Sequence, residues 1–201
     1  MNIKQSAYLK KLYKQYNEVI KPLIALYEAR EEKFLTPVLN EIRAYNDHIA
    51  RCYLPDANSK FIDSQLRSAE RHIKRIILDC YKYLNVSFND EVKKFEKRTK
   101  NVDLSIINNG DFYIKFKQYR NNTISLIREA KALESQSNDD DKIFKSFEKA
   151  FNEYSKLSIL INTNFVQINW AKAKSIIKKY FWIIAAIISG IISFILSSLF
   201  E

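Results

Sequence analysis

Cationic side chains collect on one side of a predicted helix, and they are the first residues in this chain that suggest chemistry. Apolar residues recur at helical spacing from Ser59 to Leu84 and define the side that faces a core. The cations opposite them are Arg67, Arg71, Lys74, Arg75 and Lys82. Guanidinium and ammonium groups in such a row suit the phosphate oxygens of a nucleotide, a nucleic acid or an anionic lipid. The competing interpretation is a solvated face that only favours solubility.

A second candidate cluster combines tyrosines with lysines. Apolar and polar residues alternate on both sides of Asn109-Gly110, which predicts a β-hairpin over about residues 102–117. The residues that would share its outer face are Tyr113, Lys115, Lys117 and Tyr119. Tyrosine rings stack on bases while lysines hold phosphates, so the two clusters predict a nucleotide or single-stranded oligonucleotide ligand. A cationic surface that lies on anionic lipid would explain the same residues.

Motifs for catalysis or metal binding are absent from the chain. A glycine-rich phosphate loop would need more than Gly110 and Gly190, which are the only glycines. Four potential zinc ligands do occur, but without the spacing of a zinc site: His48, Cys52, His72 and Cys80. We therefore predict no catalytic residue, no metal, no cofactor and no enzymatic activity.

Helices must position the candidate residues, because the composition leaves little for loops or sheets. The 201 residues include two glycines and three prolines, and 47% are hydrophobic. The net charge of +10 favours anionic partners, and two cysteines provide no disulfide framework. We predict a mainly α fold, with a cytoplasmic helical domain over 1–170, a basic juxtamembrane segment over 171–179 and a transmembrane helix over 180–201.

Local signals predict where the helices of the cytoplasmic domain begin and bend. Pro22 should kink or break the first helix, and Thr36-Pro37 should open the next with Thr36 as the N-cap. A capping-box pattern over residues 87–90 predicts the start of a separate short helix. The asparagine-rich residues 162–169 either bend the chain before the anchor or continue as an ordinary helix.

The predicted membrane anchor is a run without charge from Tyr180 to Phe200. As a helix it would be about 30 Å long, the thickness of the hydrocarbon core of a bilayer. The residues that flank its start and suit the membrane interface are Lys174, Lys178, Lys179 and Trp182. The positive-inside rule then predicts a single pass through the membrane, with the N-terminal domain in the cytoplasm and Glu201 on the far side.

Small residues form a stripe on one face of this anchor. The members of the stripe are Ala185, Ser189, Gly190, Ser193 and Ser197. Such stripes let transmembrane helices pack closely, so they would serve self-association in a homo-oligomer. They would line a pore if three or more copies surrounded a channel. The simplest alternative is that the serine hydroxyls bond back to their own helix.

This layout of a helical cytoplasmic domain, cationic and aromatic clusters and one terminal transmembrane helix resembles the membrane effectors of bacterial antiphage nucleotide-signalling systems. The Hailong-type and cyclic-oligonucleotide-type systems have such effectors, which permeabilise the inner membrane in response to a nucleotide or DNA-oligomer signal. The resemblance implies a homo-oligomeric pore-forming effector, and it transfers no individual residue because it is one of architecture. The alternative is a tail-anchored adaptor or tether, without a channel, whose basic face binds anionic lipid.

Overall fold

The computed structural model describes residues 1–136 and 139–199, and about 90% of the chain is helical. The α-helices of this part of the chain are α1 (Ile3–Gln15), α2 (Lys21–Glu31), α3 (Thr36–Arg51), α4 (Ser59–Arg98), α5 (Asp111–Gln136), α6 (Asp140–Thr163) and α7 (Phe165–Leu199). A π-helical turn (Tyr16–Ile20) joins α1 to α2, and a 3-10 segment (Leu104–Gly110) precedes α5. No strand occurs among the described residues, so the predicted mainly α fold is confirmed.

Pro22 is accommodated without a break in the helical path. A proline in a helix lacks the N–H of the regular hydrogen bond, and its ring collides with the carbonyl four residues earlier. The π-helical turn widens the helix directly before Pro22, which then stands in the first turn of α2. The expected disturbance at Pro22 therefore takes the form of a wider turn. The path ends at Glu32, which has a left-handed conformation (φ 53°).

The starts of α3 and α4 lie close to their predicted positions. α3 carries Pro37 in its first turn, but its N-cap is Leu35, and Thr36 is already helical. α4 follows Asn58, whose side chain accepts a hydrogen bond from a backbone N–H of the first turn. The predicted Thr36 cap is thus wrong by one residue.

α4 is a single helix of 40 residues, about 60 Å long, and the other helices pack along it. The separate helix predicted at residues 87–90 is therefore wrong. The Ser87 hydroxyl does not cap a new helix because it has partners in α2: it donates to the Glu31 carboxylate and accepts a hydrogen bond from Arg30 Nε (3.1 Å). A tertiary contact satisfies the polar group that resembles a cap in the sequence.

The hairpin predicted over residues 102–117 is wrong. Its turn signal is real, since residues 108–110 have positive φ angles of 48°, 52° and 90°. These residues end the 3-10 segment, however, and α5 begins directly after them. Phe112 and Phe116 are buried four residues apart, as on a helix, whereas Ile114 is 65% exposed. On a strand all three would share one face.

Apolar side chains form two clusters along α4. The first cluster joins α1, α2, α3 and part of α6 to the N-terminal part of α4. The second joins the C-terminal part of α4 to α5, α6 and the start of α7. Ile127 and Phe151 contact both clusters. Ala171 of α7 is fully buried in the second cluster, so the packed body extends to that residue.

α7 begins after a break at Asn164, inside the asparagine-rich stretch. The Asn164 side chain donates from Nδ2 to the Leu160 carbonyl (2.9 Å) and accepts a hydrogen bond at Oδ1 from Asn108 Nδ2 (2.8 Å). This amide therefore closes the end of α6 and holds the 3-10 segment beside it.

The apolar side chains of α7 beyond Tyr180 are largely exposed. Among the described residues, no single helix has the length and apolar composition needed to cross a membrane. Two parts of α7 meet that requirement together, Phe165–Ile183 and Ala185–Leu196, and they join at an angle of 46°. The segment predicted as a span over 180–201 thus contains a bend, and its last two positions, Phe200 and Glu201, lie outside the described residues.

Candidate ligand-binding groove

A groove of about 490 Å³ lies between α4 and α5, with α6 as its base. Residues 82–93 of α4, residues 120–134 of α5, and Phe147 and Tyr154 of α6 line it, each set at helical spacing along one face. Small-molecule sites in proteins have volumes of roughly 300–1,000 Å³. The groove is therefore large enough for a ligand of nucleotide size.

The side chains of this groove carry a surplus of positive charge. Its cations are Lys82, Lys93, Arg120, Arg128 and Lys131. Lys82 pairs with Glu134, and Arg120 pairs with Glu96 (Nε–Oε1 3.2 Å). The other three cations have no carboxylate within 4.0 Å in the described part of the chain. Three unpaired cations in one groove can hold several phosphate oxygens.

Two asparagines of α4 provide polar groups in the groove. Asn89 Oδ1 accepts hydrogen bonds from Tyr154 Oη (3.1 Å) and Arg120 Nη1 (3.2 Å). Asn85 is 3% exposed and donates from Nδ2 to the Phe147 carbonyl (3.0 Å), while its Oδ1 has no donor among the described residues. Hydrogen bonds within the protein thus occupy the Oδ1 of Asn89. Asn85 Oδ1 is a buried acceptor beside the groove that has no donor among the described residues.

Apolar side chains lie between the cations of the groove. Val86 is 59% exposed and Ile124 is 42% exposed, and both line the groove. Lys82 Nζ lies 5.6 Å from the centre of the Phe147 ring. Apolar surface beside unpaired cations suits a ligand that combines a flat, weakly polar ring with an anionic group. Nucleotides have this combination.

One of the five cations predicted on α4, Lys82, lines the groove. Lys74 instead pairs with Asp141 across the interface with α6 (3.1 Å). The remaining three, which are exposed nearer the N-terminal end of α4, are Arg67, Arg71 and Arg75. A phosphate-binding role for those three arginines stays a prediction.

The tyrosine–lysine cluster predicted on the hairpin is not brought together. Neighbours two residues apart project about 200° apart around a helix, so the four members lie on two sides of α5. Lys117 Nζ lies 5.6 Å from the Tyr113 ring centre, and Lys115 pairs with Asp111 (2.8 Å). Tyr119 packs against the second apolar cluster. In the described structure none of the four lines the groove.

The cations that α5 contributes to the groove are the residues that sequence reasoning missed. These cations, Arg120, Arg128 and Lys131, share one face of α5 with Ile124. Counted from Arg120, Ile124 follows by four residues, Arg128 by eight and Lys131 by eleven, which is helical spacing. Acidic neighbours such as Glu129 hide this signal in the sequence, since a face of mixed charge resembles an ordinary solvated one.

The candidate zinc ligands are not gathered into one site among the described residues. The His48 and His72 rings stack, with centroids 5.2 Å apart, between α3 and α4. His48 Nδ1 is hydrogen-bonded to Gln65 Oε1 (2.7 Å), and His72 Nδ1 to Glu41 Oε2 (2.6 Å). Burial raises the pKa of the Cys80 thiol to about 12. Within the residues that the structure describes, no group of three or more potential ligands is arranged to hold a metal ion.

The small-residue face of α7 is open on its surface. A shallow recess of about 420 Å³ includes Ala185, Ser189 and Ser193. A side chain added at Gly190 would meet nothing within 4 Å. The side chain of Ser197 lies outside the described residues. An open face of this kind can pack closely against another helix.

Cations and aromatic rings surround the start of the apolar part of α7. Lys174 Nζ lies 4.9 Å from the Trp170 ring centre, and Lys179 Nζ lies 5.2 Å from the Tyr180 ring centre. Trp182 is 80% exposed. Such a collar is typical of residues at a membrane interface.

Comparisons with protein-family models, curated proteins and solved structures found no match to this chain. Functional inference therefore depends on the groove and on the exposed part of α7.

Proposed function

We propose that this chain is a homo-oligomeric membrane effector, in which a cytoplasmic helical receptor binds a nucleotide or oligonucleotide signal and controls a membrane pore or lesion formed by α7. The observation that carries the proposal is the groove between α4 and α5. There, three cations that have no carboxylate partner among the described residues lie beside exposed apolar side chains. Nucleotides present the complementary features, which are anionic phosphates and flat bases.

The charge of the groove favours a phosphate-bearing ligand over a neutral one. Lys93, Arg128 and Lys131 repel one another in the empty groove, and a polyanion between them removes that repulsion. Because the groove is open to solvent, each contact contributes modestly and salt screens it. Binding should therefore weaken as the salt concentration increases.

The exposed apolar surface of α7 supports attachment to a membrane. Side chains on several sides of its C-terminal part are each about half exposed or more: Ile183, Ile187, Ile188, Ile191, Ile192 and Phe194. A contiguous apolar surface of this extent is unfavourable in water and is typical of membrane or protein contacts. Lysines directly precede this part of the helix, which supports a cytoplasmic position for the helical domain.

Assembly of several copies through the small-residue face of α7 would bring the serine hydroxyls together. One helix cannot enclose a channel, so the pore requires a homo-oligomer. The bend in α7 lies near the start of this face, between Ile183 and Ala185. A change in the groove could reach α7 through the second apolar cluster, which includes residues of α4, α5, α6 and α7.

The ligand part of the proposal is tested by thermal unfolding of the full-length protein in a neutral detergent. The probes are ATP, a dinucleotide and a short single-stranded DNA at low salt. A bound ligand stabilises the folded state, so at least one probe should raise the unfolding temperature. Arg128→Gln with Lys131→Gln should reduce the shift, whereas the control Arg67→Gln with Arg71→Gln, which removes the same charge, should retain it in full. No shift with any probe would refute a nucleotide receptor.

The pore part is tested by ion release from liposomes that contain the full-length protein. Replacing Ser189, Ser193 and Ser197 together by Leu fills the small-residue face and should stop release. The matched control replaces Ile187, Ile191 and Ile195 by Leu on the opposite face and should leave release unchanged. Undiminished release from the serine variant would refute a pore lined by this face.

A second candidate function is a non-channel tail-anchored adaptor or tether whose basic face binds anionic lipid. The observation that favours it is the exposed row Arg67, Arg71 and Arg75, in which none of the three has a carboxylate within 4.0 Å among the described residues. Each such cation near an anionic membrane contributes about 1 kcal/mol of binding free energy. This function predicts no ion release and tolerance of bulky residues in the small-residue face.

A further inference from the structure

A second cationic recess lies where the C-terminal end of α4 meets α7, away from the ligand groove. Its volume is about 290 Å³, and residues 97–102 and 172–180 supply its lining. The cations that line it are Lys97, Arg98, Lys100, Lys172 and Lys179. Lys172 is half-buried and the other four are exposed.

The recess keeps a large positive charge. None of its five cations has a carboxylate within 4.0 Å among the described residues. The acid beside it is Asp103, whose backbone N–H donates to Ser175 Oγ (3.4 Å). Hydrogen bonds from Ser105, and to a smaller extent the charges of Lys178 and Lys174, hold the pKa of Asp103 below its usual value. Asp103 is thus ionised at neutral pH, but one acid cannot balance the lysines and the arginine around it.

The favourable interaction of cations with the C-terminal end of a helix explains the positions of only some of the cations in this recess. Lys97 and Arg98 occupy the last turn of α4, where cations stabilise the carbonyl end of a helix. Lys172 and Lys179 lie inside α7, seven residues apart on one face, where that effect is absent. Their like charges repel those of the cations at the end of α4, and an anion in the recess would reduce that repulsion.

The position of the recess indicates which anion it meets. At about 1.5 Å of rise per residue, Lys179 lies about 1.5 Å and Lys172 about 12 Å before Tyr180 along α7. The polar layer of one leaflet is roughly 5–8 Å thick outside the hydrocarbon core. With Tyr180 at the hydrocarbon boundary, Lys179 and Ile176 lie at the depth of the phospholipid headgroups, and the backbone of Lys172 lies about 4 Å outside them. The recess therefore extends from the headgroup layer to its water-facing side.

We propose that this recess binds the headgroup phosphate of an anionic phospholipid. Lys100, in the turn after α4, and Lys172 of α7 hold the phosphate oxygens, and Ile176 and Tyr180, which also line the recess, contact the glycerol and the first acyl carbons. A zwitterionic headgroup is disfavoured because its own ammonium group meets five cations. The inference rests on the membrane attachment in the proposed function, and it is independent of the ligand groove and of a pore.

The test counts lipids bound to the full-length protein in a neutral detergent by native mass spectrometry. Phosphatidylglycerol, phosphatidylcholine and inorganic phosphate are added separately, and we expect phosphatidylglycerol to be retained at least tenfold more strongly than phosphatidylcholine. Each cation near an anionic lipid contributes about fivefold in affinity, so Lys100→Gln with Lys172→Gln should weaken retention roughly 25-fold. The control Lys4→Gln with Lys11→Gln removes the same charge from exposed positions of α1 and should leave retention unchanged.

Three results would overturn the headgroup site: equal retention of the two lipids, equal losses in the two double variants, or displacement of the lipid by an equal concentration of inorganic phosphate. Membrane attachment has its own readout, which is insertion of the full chain into phosphatidylcholine vesicles. Failure to insert would overturn attachment and the headgroup site together. Insertion without lipid selectivity would overturn the headgroup site alone.

Discussion

Replacing two cations of the ligand groove should weaken the binding of a single-stranded oligonucleotide and reduce the salt dependence of that binding. Arg128→Gln together with Lys131→Gln removes two of the three groove cations that have no carboxylate partner among the described residues. Both side chains are exposed on α5, so the substitutions leave the apolar clusters unchanged. Lys93 is the unpaired cation that remains.

The magnitude follows from the number of phosphates that the groove can neutralise. Each neutralised phosphate of a single strand contributes about −0.7 to the slope of log affinity against log salt concentration. Three cations predict a slope of about −2.1, which is roughly an 18-fold loss of affinity between about 50 and 200 mM salt. One cation predicts a slope of about −0.7 and roughly a 2.6-fold loss over the same range.

Fluorescence anisotropy with a labelled oligothymidylate of about eight nucleotides measures both slopes on the full-length protein in a neutral detergent. The control Arg67→Gln with Arg71→Gln removes two cations that do not line the groove and should keep the steeper slope. A steep slope in the groove variant would refute the assignment of the ligand to the groove. An equal decrease in both variants would show that binding follows net charge alone.

Three further predictions concern buried groups. Tyr45→Phe should raise the free energy of unfolding by about 1 kcal/mol and the melting temperature by about 2–4 °C, because the buried Tyr45 hydroxyl has no hydrogen-bond partner among the described residues; a lower melting temperature would contradict this. Burial and the hydrogen bond to Glu70 raise the pKa of Tyr8 to about 12, above the unfolded value of 10.0, so the protonated hydroxyl stabilises the fold below pH 10 and this contribution is lost as the pH rises towards 12. Urea unfolding of Tyr8→Phe should therefore depend less on pH in that range, and an unchanged pH dependence would count against the shift. Burial raises the pKa of Cys80 to about 12, so a thiol reagent at pH 8 should label Cys80 only after unfolding, and rapid labelling of the native protein would contradict that burial.

Helix content and the core-facing side of α4 can be predicted from the sequence, because both follow from local composition and spacing. Few glycines and prolines leave little material for turns. Ile62, Leu66 and Ile73 recur on one face at helical spacing, and the structure buries all three. Periodicity works here because a long amphipathic helix has one way to bury its apolar stripe.

Predictions from short sequence motifs are wrong where the same motif fits two structures and tertiary contacts favour one of them. The serine at position 87 looks like a helix cap, but Arg30 and Glu31 of α2 supply its hydrogen bonds and α4 continues. The turn at Asn109-Gly110 has the positive φ angles that a hairpin would need, yet helix α5 follows it. The chain continues as a helix after the turn because Phe112 and Phe116, four residues apart, both pack into the second apolar cluster. The isoleucine between them is exposed.

The sequence by itself determined that the protein is helical, that it is strongly cationic and that a long uncharged segment follows a run of lysines. Only the tertiary structure decided which cations remain available to a ligand. Lys74 is paired with Asp141 of α6, and Lys82 is paired with Glu134 of α5. Arg128 and Lys131, beside the groove, have no carboxylate partner in the part of the chain that the structure describes. The physical reason is that an ion pair needs a partner within about 4 Å, and the helices that approach α4 come from distant parts of the chain.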